Sequence, residues 1–207
     1  MKRKYVMAVA SAAVVVGCAT YVAPTREESM QVVKSSFRER GIAKMDRLDQ
    51  SDLQVACSEA ALTGKEVSKD VRARLEKQAL ATVKLPPDGV YLGDFKQGER
   101  IAQTGVGLQW SDTANQVNGG NCYACHQITK AEVSFGTLGP SLGNYGKIRD
   151  FDPADAKALY EKIYNSNAVF ACSTMPRFGA NKILTVEQIK DIVALLMSRE
   201  SPVNTGK

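Results

Sequence analysis

Residues 120–127 read GNCYACHQ, and His126 within it is the only histidine of the chain. Cys-x-x-Cys-His makes several demands at once. Thiols two residues apart can add to the vinyl groups at one edge of a porphyrin, and the imidazole that follows is carried beneath the ring to bind iron. A chain built on this motif must wrap its fold around a large flat group. The rival chemistries fail on counting. Zinc needs a fourth ligand, and neither a second histidine nor a second Cys-x-x-Cys exists. A dithiol motif of the thioredoxin kind expects a βαβ setting, and no segment here reads as a strand of any length.

The cofactor these residues imply is one covalently attached haem c. Cys122 and Cys125 are the attachment points, and His126 is the proximal iron ligand. With 7 prolines, 6 phenylalanines and 1 tryptophan, the core around glycine-rich loops is thin. A haem would fill it, so the haem-free chain is expected to fold poorly.

Since His126 is spent on one side of the iron, no histidine of this chain is left for the other. The methionines beyond the N-terminal stretch are Met30, Met45, Met175 and Met197. Met197 falls in an amphipathic helix, where packing is the natural role, and Met30 and Met45 sit in the N-terminal segment. Met175 lies in CSTMPRFG, between two helical stretches, with Pro176 stiffening the backbone and Gly179 permitting a turn. A loop methionine braced in this way suits axial thioether ligation. Such ligation raises the reduction potential and closes the iron to small molecules, which suits electron transfer rather than oxygen binding.

Residues 1–23 form a secretory signal: a basic head, Lys2-Arg3-Lys4, an apolar run from Val6 to Val16, then small residues. The run is too short for a permanent membrane span. Its end fits two processing routes. In one, Val15-Val16-Gly17-Cys18 is a lipoprotein signal and Cys18 carries the lipid anchor. In the other, cleavage follows Ala19. Either way the chain is exported, and a periplasmic location, free or membrane-anchored, is expected. The net charge of +5 is largely a feature of this signal, because without Lys2, Arg3 and Lys4 there remain 24 basic against 22 acidic residues. No basic run is interleaved with aromatics, so no nucleic-acid partner is expected.

Of 5 cysteines, the signal and the Cys-x-x-Cys motif leave Cys57 and Cys172. An even pair in an oxidising compartment can be a disulfide. The compartment and the even count favour the disulfide over the other reading, in which Cys172 is a reactive thiol near Met175.

The remaining sequence divides at Leu85-Pro86-Pro87-Asp88-Gly89. Residues 24–89 read as a helical N-terminal extension, with helices expected over 26–40, 51–61 and 68–84. It has few large apolar residues, so it should pack on something else, either the second half of the chain or a partner. Residues 90–207 read as the haem domain. Helices are expected from Asp94 to Gln103, from the Asp152-Pro153 start to about Asn165, and from the capping box Thr185-Val186-Glu187-Gln188 to before Pro202. The stretch FGTLGPSLGNYG must be irregular. Trp110, Tyr145, Lys147 and Arg149 are candidates for haem propionate contacts, and equally for ordinary surface and core roles.

GNCYACH, GTLGPSLGNYG, STMPRFG and the final LTVEQIKDIVALLMSRESPV together resemble the class I c-type cytochromes over roughly residues 94–205. More closely, the methionine loop with Cys172 and Arg177-Phe178-Gly179, plus the last helix, resembles SoxX, a subunit family of the SoxAX thiosulfate-oxidising cytochromes. The resemblance implies an all-α fold of class I cytochrome c type, here with an additional N-terminal helical segment. It implies His126 and Met175 as the iron ligands, and Gly139-Pro140-Ser141-Leu142 as the stretch whose Pro140 carbonyl supports the proximal imidazole. It further implies a SoxA-type cytochrome partner that holds the catalytic site of an L-cysteine S-thiosulfotransferase. This chain would then accept electrons as thiosulfate is joined oxidatively to a carrier-protein cysteine, and pass them to a soluble cytochrome c. A stand-alone class I electron carrier, periplasmic or membrane-tethered, is the other function compatible with the motifs.

Overall fold

The computed structural model describes residues 22–206, so the signal through residue 21, with Cys18, lies outside the described residues. The described chain forms two units, 22–36 and 37–206.

The first unit is helix α1 (Arg26–Ser36) and the residues leading into it. Thr25 Oγ1 accepts from the Glu28 amide at 3.2 Å, and Glu28 Oε2 accepts from the Thr25 amide at 2.8 Å, which closes the first turn. The apolar periodicity predicts a helix running to Arg40, but α1 ends at Ser36. The Ser35 and Ser36 hydroxyls both donate to the Val32 carbonyl, offering it partners other than the helix ladder.

The second unit is helical, with no strand among the described residues beyond an isolated bridge between Arg40 and Ala43. Its helices are α2 (Asp52–Thr63), α3 (Lys69–Leu80), α4 (Phe95–Gln103), the short α5 (Tyr145–Ile148), α6 (Pro153–Tyr164), α7 (Val186–Met197) and the short α8 (Pro202–Thr205). Their starts follow the signals in the sequence. Asp94 Oδ1 accepts from the Lys96 amide, Asp152 Oδ1 from Ala154, and Thr185 with Gln188 forms the expected capping box. This all-α arrangement is the class I cytochrome c fold.

The core is built around α7, which α4, α5, α6 and α8 surround. Ile189, Val193 and Leu195 are fully buried, as is Tyr160 of α6. Helix α4 approaches α7 so closely that a Cβ on Gly98 would lie 2.1 Å from the Asp191 carbonyl oxygen, so glycine is required at the crossing. Periodicity gives α7 one apolar face, yet every residue from Ile189 to Met197 except Asp191 is buried, including Lys190. The Lys190 ammonium escapes by reaching the carboxylates of Asp88 at 3.2 Å and Glu187 at 3.4 Å. Met197 is a core residue.

Residues 37–89 pack on the second half of the chain, the intramolecular one of the two expected arrangements. Tyr160 donates to the Lys84 carbonyl at 2.7 Å, and Asn165 Nδ2 reaches the Ala79 carbonyl and Thr82 Oγ1. The Ala171 amide donates to Glu76 Oε1 at 3.0 Å. Leu53, Leu75 and Ala171 form a small second core with Ala56, Cys57 and Val71. Residues 40–47 also clasp the loop that precedes the cysteine motif. The Arg40 guanidinium lies 3.4 Å from the Trp110 ring centre, and Arg47 donates to the Leu108 carbonyl.

Candidate haem-attachment site

Cys122–Ala124 form a single 3₁₀ turn, entered through Asn121 in the left-handed region at φ 47°. In this tight turn residues i and i+3 eclipse, which sets Cys122 and Cys125 on one side. The Cys125 and His126 amides both donate to the Cys122 carbonyl, at 3.1 and 2.9 Å. Tyr123 projects the other way, into the core. Its hydroxyl donates to Glu99 Oε1 of α4 at 2.8 Å and lies 2.9 Å from Thr129 Oγ1. Burial raises the Tyr123 phenol above its ordinary range and pushes the Cys122 thiol up to about 12. In the haem-free chain Cys122 is therefore a neutral thiol.

His126 Nδ1 lies 2.7 Å from the Pro140 carbonyl oxygen. A carbonyl only accepts, so Nδ1 carries the proton and the Nε2 lone pair is left for a metal. Backbone bonds place that carbonyl. The Gly136 amide donates to Tyr123 O, Gly139 to Cys125 O and Leu142 to Gln127 O, each at 2.8 Å. The wrap is tight enough that a Cβ on Gly139 would lie 2.1 Å from His126 Cε1.

Met175 is half-buried, packed against the main core. Side chains hold its loop. Ser166, fully buried after α6, donates its hydroxyl to the Met175 carbonyl at 2.5 Å. Asn167 Nδ2 donates to the Ala171 carbonyl at 2.7 Å, and Ser173 Oγ accepts from the Met175 amide at 3.2 Å. Gly179 packs against the Tyr164 ring, where a Cβ would come within 2.4 Å of Cδ2. Cys57 of α2 and Cys172 form a disulfide with Cα atoms 5.6 Å apart. Sequence reasoning missed Ser166 and Asn167. Their only signal is a polar pair directly after an amphipathic helix, and many such pairs merely end helices.

Of the four side chains weighed for propionate contacts, Trp110 lies under Arg40, and the Arg149 guanidinium lies 3.7 Å from the Tyr145 ring centre. Lys147 is exposed at the surface.

The donor set suits haem c: two thiols free of disulfide, a nitrogen ligand with its tautomer set, and a thioether in a braced loop. Among the described residues no group of three or more His, Cys, Asp or Glu could hold a bare metal ion.

An all-α domain of this build with a Cys-x-x-Cys-His turn is a c-type cytochrome. The cytochrome c family model matches residues 97–200, and the chain belongs to that family, whose members carry covalently bound haem c in electron transport. The chain is also 35% identical to an uncharacterized lipoprotein of Aquifex aeolicus (strain VF5), over 99% of this chain and 100% of that protein.

Proposed function

We propose that this protein is a single-haem electron carrier tethered to the outer face of a membrane. His126 and Met175 ligate its iron, and Cys122 and Cys125 form its thioether bonds. The observation that carries the reading is the 2.7 Å contact of His126 Nδ1 with the Pro140 carbonyl, which leaves the Nε2 lone pair for a metal. Haem c supplies a one-electron iron couple. The chain's own residues supply the rest. The Pro140 carbonyl fixes the imidazole tautomer, the Met175 loop would hold the thioether ligand and keep water and small ligands from the iron, and the tight core would limit rearrangement on electron transfer.

Anchoring rests on Cys18 at the end of an apolar run and on the full-length lipoprotein relative. No described helix is long and apolar enough to cross a membrane. A lipid on Cys18 would therefore be the attachment, and Cys18→Ser should release the protein to the soluble fraction.

Expression with haem-maturation machinery tests the haem assignment. The alkaline pyridine spectrum should return one haem per chain. Met175→Ala should retain covalent haem while losing the weak far-red thioether–iron band. A band that persists in that variant overturns Met175 as ligand.

A second reading rests on the methionine loop, whose CSTMPRFG resembles that of SoxX. In it the chain is the electron-accepting subunit of a SoxA-type thiosulfate-conjugating enzyme, with the catalytic site on the partner and a soluble cytochrome c as acceptor. Affinity capture from native extracts distinguishes the two. Co-purification of a second c-type cytochrome supports the subunit, and a clean monomer supports the stand-alone carrier.

A further inference from the structure

The Cys57–Cys172 disulfide borders two cavities. One, of about 460 Å³, is lined by both cysteines with Lys65, Glu66, Arg72 and Phe170. The other, of about 650 Å³, is lined by both cysteines with Met175, Arg177 and Asn181. Both cysteines are half-buried, so this bond is not sealed in a core. What it restrains is otherwise lightly held. Leu53 is the one buried residue of α2, and the small cluster around it contains Cys57 itself.

We propose that Cys57–Cys172 is a redox-active pair, reduced by a dithiol that enters through these cavities, and that its reduction loosens the Met175 loop. The proposal rests on the reading of Met175 as the axial ligand. A thiolate of the dithiol attacks one sulfur of the pair. The Cys57–Cys172 bond breaks, a mixed disulfide forms, and the other cysteine leaves as a thiolate that takes a proton. The second thiol of the reductant then attacks the mixed disulfide. The reductant departs as a disulfide, and two electrons and two protons remain on Cys57 and Cys172. Lys65 and Arg72 outnumber Glu66 around the smaller cavity, a charge balance that favours an anionic thiolate on approach.

Cys172 is three residues from Met175 in sequence. With the bond intact, the loop is tied at Cys172 to a helix and at Met175 to Ser166. With the bond broken, α2 keeps Leu53 as its one buried residue, and the loop keeps its hydrogen bonds and the packing of Ala171 and Met175 but loses its covalent tie. A thioether released more readily from the iron lowers the haem reduction potential. The pair would thus convert a strong electron acceptor into a weaker one when dithiols accumulate.

The test uses the full-length holoprotein in dithiothreitol buffers of graded oxidised-to-reduced ratio. Thiols are trapped by alkylation and counted by mass, the excess reductant is removed, the haem is reoxidised with ferricyanide, and each trapped sample is then read for the far-red band and for midpoint potential. The expected result is reduction of the pair while the helical circular dichroism is unchanged, with a weaker band and a lower potential in the reduced form. The Cys57→Ser/Cys172→Ser variant, purified as holoprotein, should show the same weaker band and lower potential without dithiol. A pair that stays oxidised until the fold melts overturns the proposal. Reduction that leaves band and potential unchanged overturns it as well. Met175→Ala separates the two readings. A band surviving in that variant removes the ligand assignment and the switch together. A band lost there but indifferent to reduction of the pair removes the switch alone.

Discussion

The two sides of the candidate iron site are built by different means. The His126 side is a backbone construction, in which amides of Gly136, Gly139 and Leu142 donate to carbonyls of the cysteine turn and its neighbours at 2.8 Å. The Met175 side is a side-chain construction, in which Ser166, Asn167, Ser173 and a disulfide from α2 hold the loop. Backbone bonds are indifferent to most substitutions but intolerant of added bulk. Side-chain bonds can be removed one at a time. The proximal side should therefore respond to mutation almost all-or-none, and the distal side in graded steps.

The sharpest break of this contrast is Gly139→Ala. Its Cβ would lie 2.1 Å from the His126 ring, against backbone that cannot retreat without losing the Pro140 bond. Overpacking of this kind costs about 3 kcal/mol or more, and covalent haem yield should collapse. Gly143→Ala is the control, since its Cβ would meet Ser141 Oγ at 3.5 Å and the Ile128 carbonyl oxygen at 3.8 Å, both ordinary van der Waals contacts. Normal haem content in Gly139→Ala would refute the backbone-cradle account.

Next in size is a comparison of two leucines. Leu195, fully buried in α7, should cost about 4 kcal/mol on truncation to alanine, while Leu53 of α2 should cost about 2 kcal/mol. Denaturant unfolding of the two holoproteins checks the order. Equal losses would show that the α2 region is as firmly packed as the main core.

Ser166→Ala removes one distal restraint and leaves the Met175 carbonyl without its buried donor. The expected cost is about 1–3 kcal/mol, together with a weakened far-red band while His126 ligation and haem content stay intact. A full-strength band would mean that Ser166 stabilises the fold without positioning Met175.

The smallest effect belongs to the clasp between Asp88 and α7. The Val90 amide and then the Lys190 ammonium hold the Asp88 carboxyl below its ordinary value. A carboxyl depressed in the folded state contributes stability above its unfolded value of about 3.9. That contribution fades as pH falls through the lower folded value. Asp88→Asn should lower stability slightly at neutral pH, where the contribution is present, and match the parent protein at acid pH, so that the acid limb of its stability profile below about pH 4 is flatter. An unaltered acid limb would show that Asp88 is not held by Lys190 in solution.

Much of this molecule is legible in one dimension. Cys122, Cys125 and His126 are adjacent, so the covalent chemistry of attachment sets their spacing and the motif announces itself. The starts of α2, α3, α4, α6 and α7 follow capping signals that act within one helical turn, and the structure places them within a residue of expectation. Met175 stood out because its loop has local turn chemistry. What remained hidden depends on distance along the chain. Ser166 matters because the fold returns the loop to it nine residues later, and Glu76 because it meets an amide 95 residues away.

The sequence by itself determined a helical chain with a haem-attachment turn and a pair of cysteines read as a disulfide ahead of a reactive thiol. Only the tertiary structure decided that Cys57 and Cys172 are joined and that residues 37–89 pack on the second half of the chain. It also decided that His126 meets the Pro140 carbonyl and that nearly every side of α7 is covered. The physical reason is range. Capping, turn chemistry and motif spacing act over a few residues, so composition and order encode them directly. Packing a charged, weakly apolar segment onto a distant core depends on which surfaces the completed fold leaves uncovered.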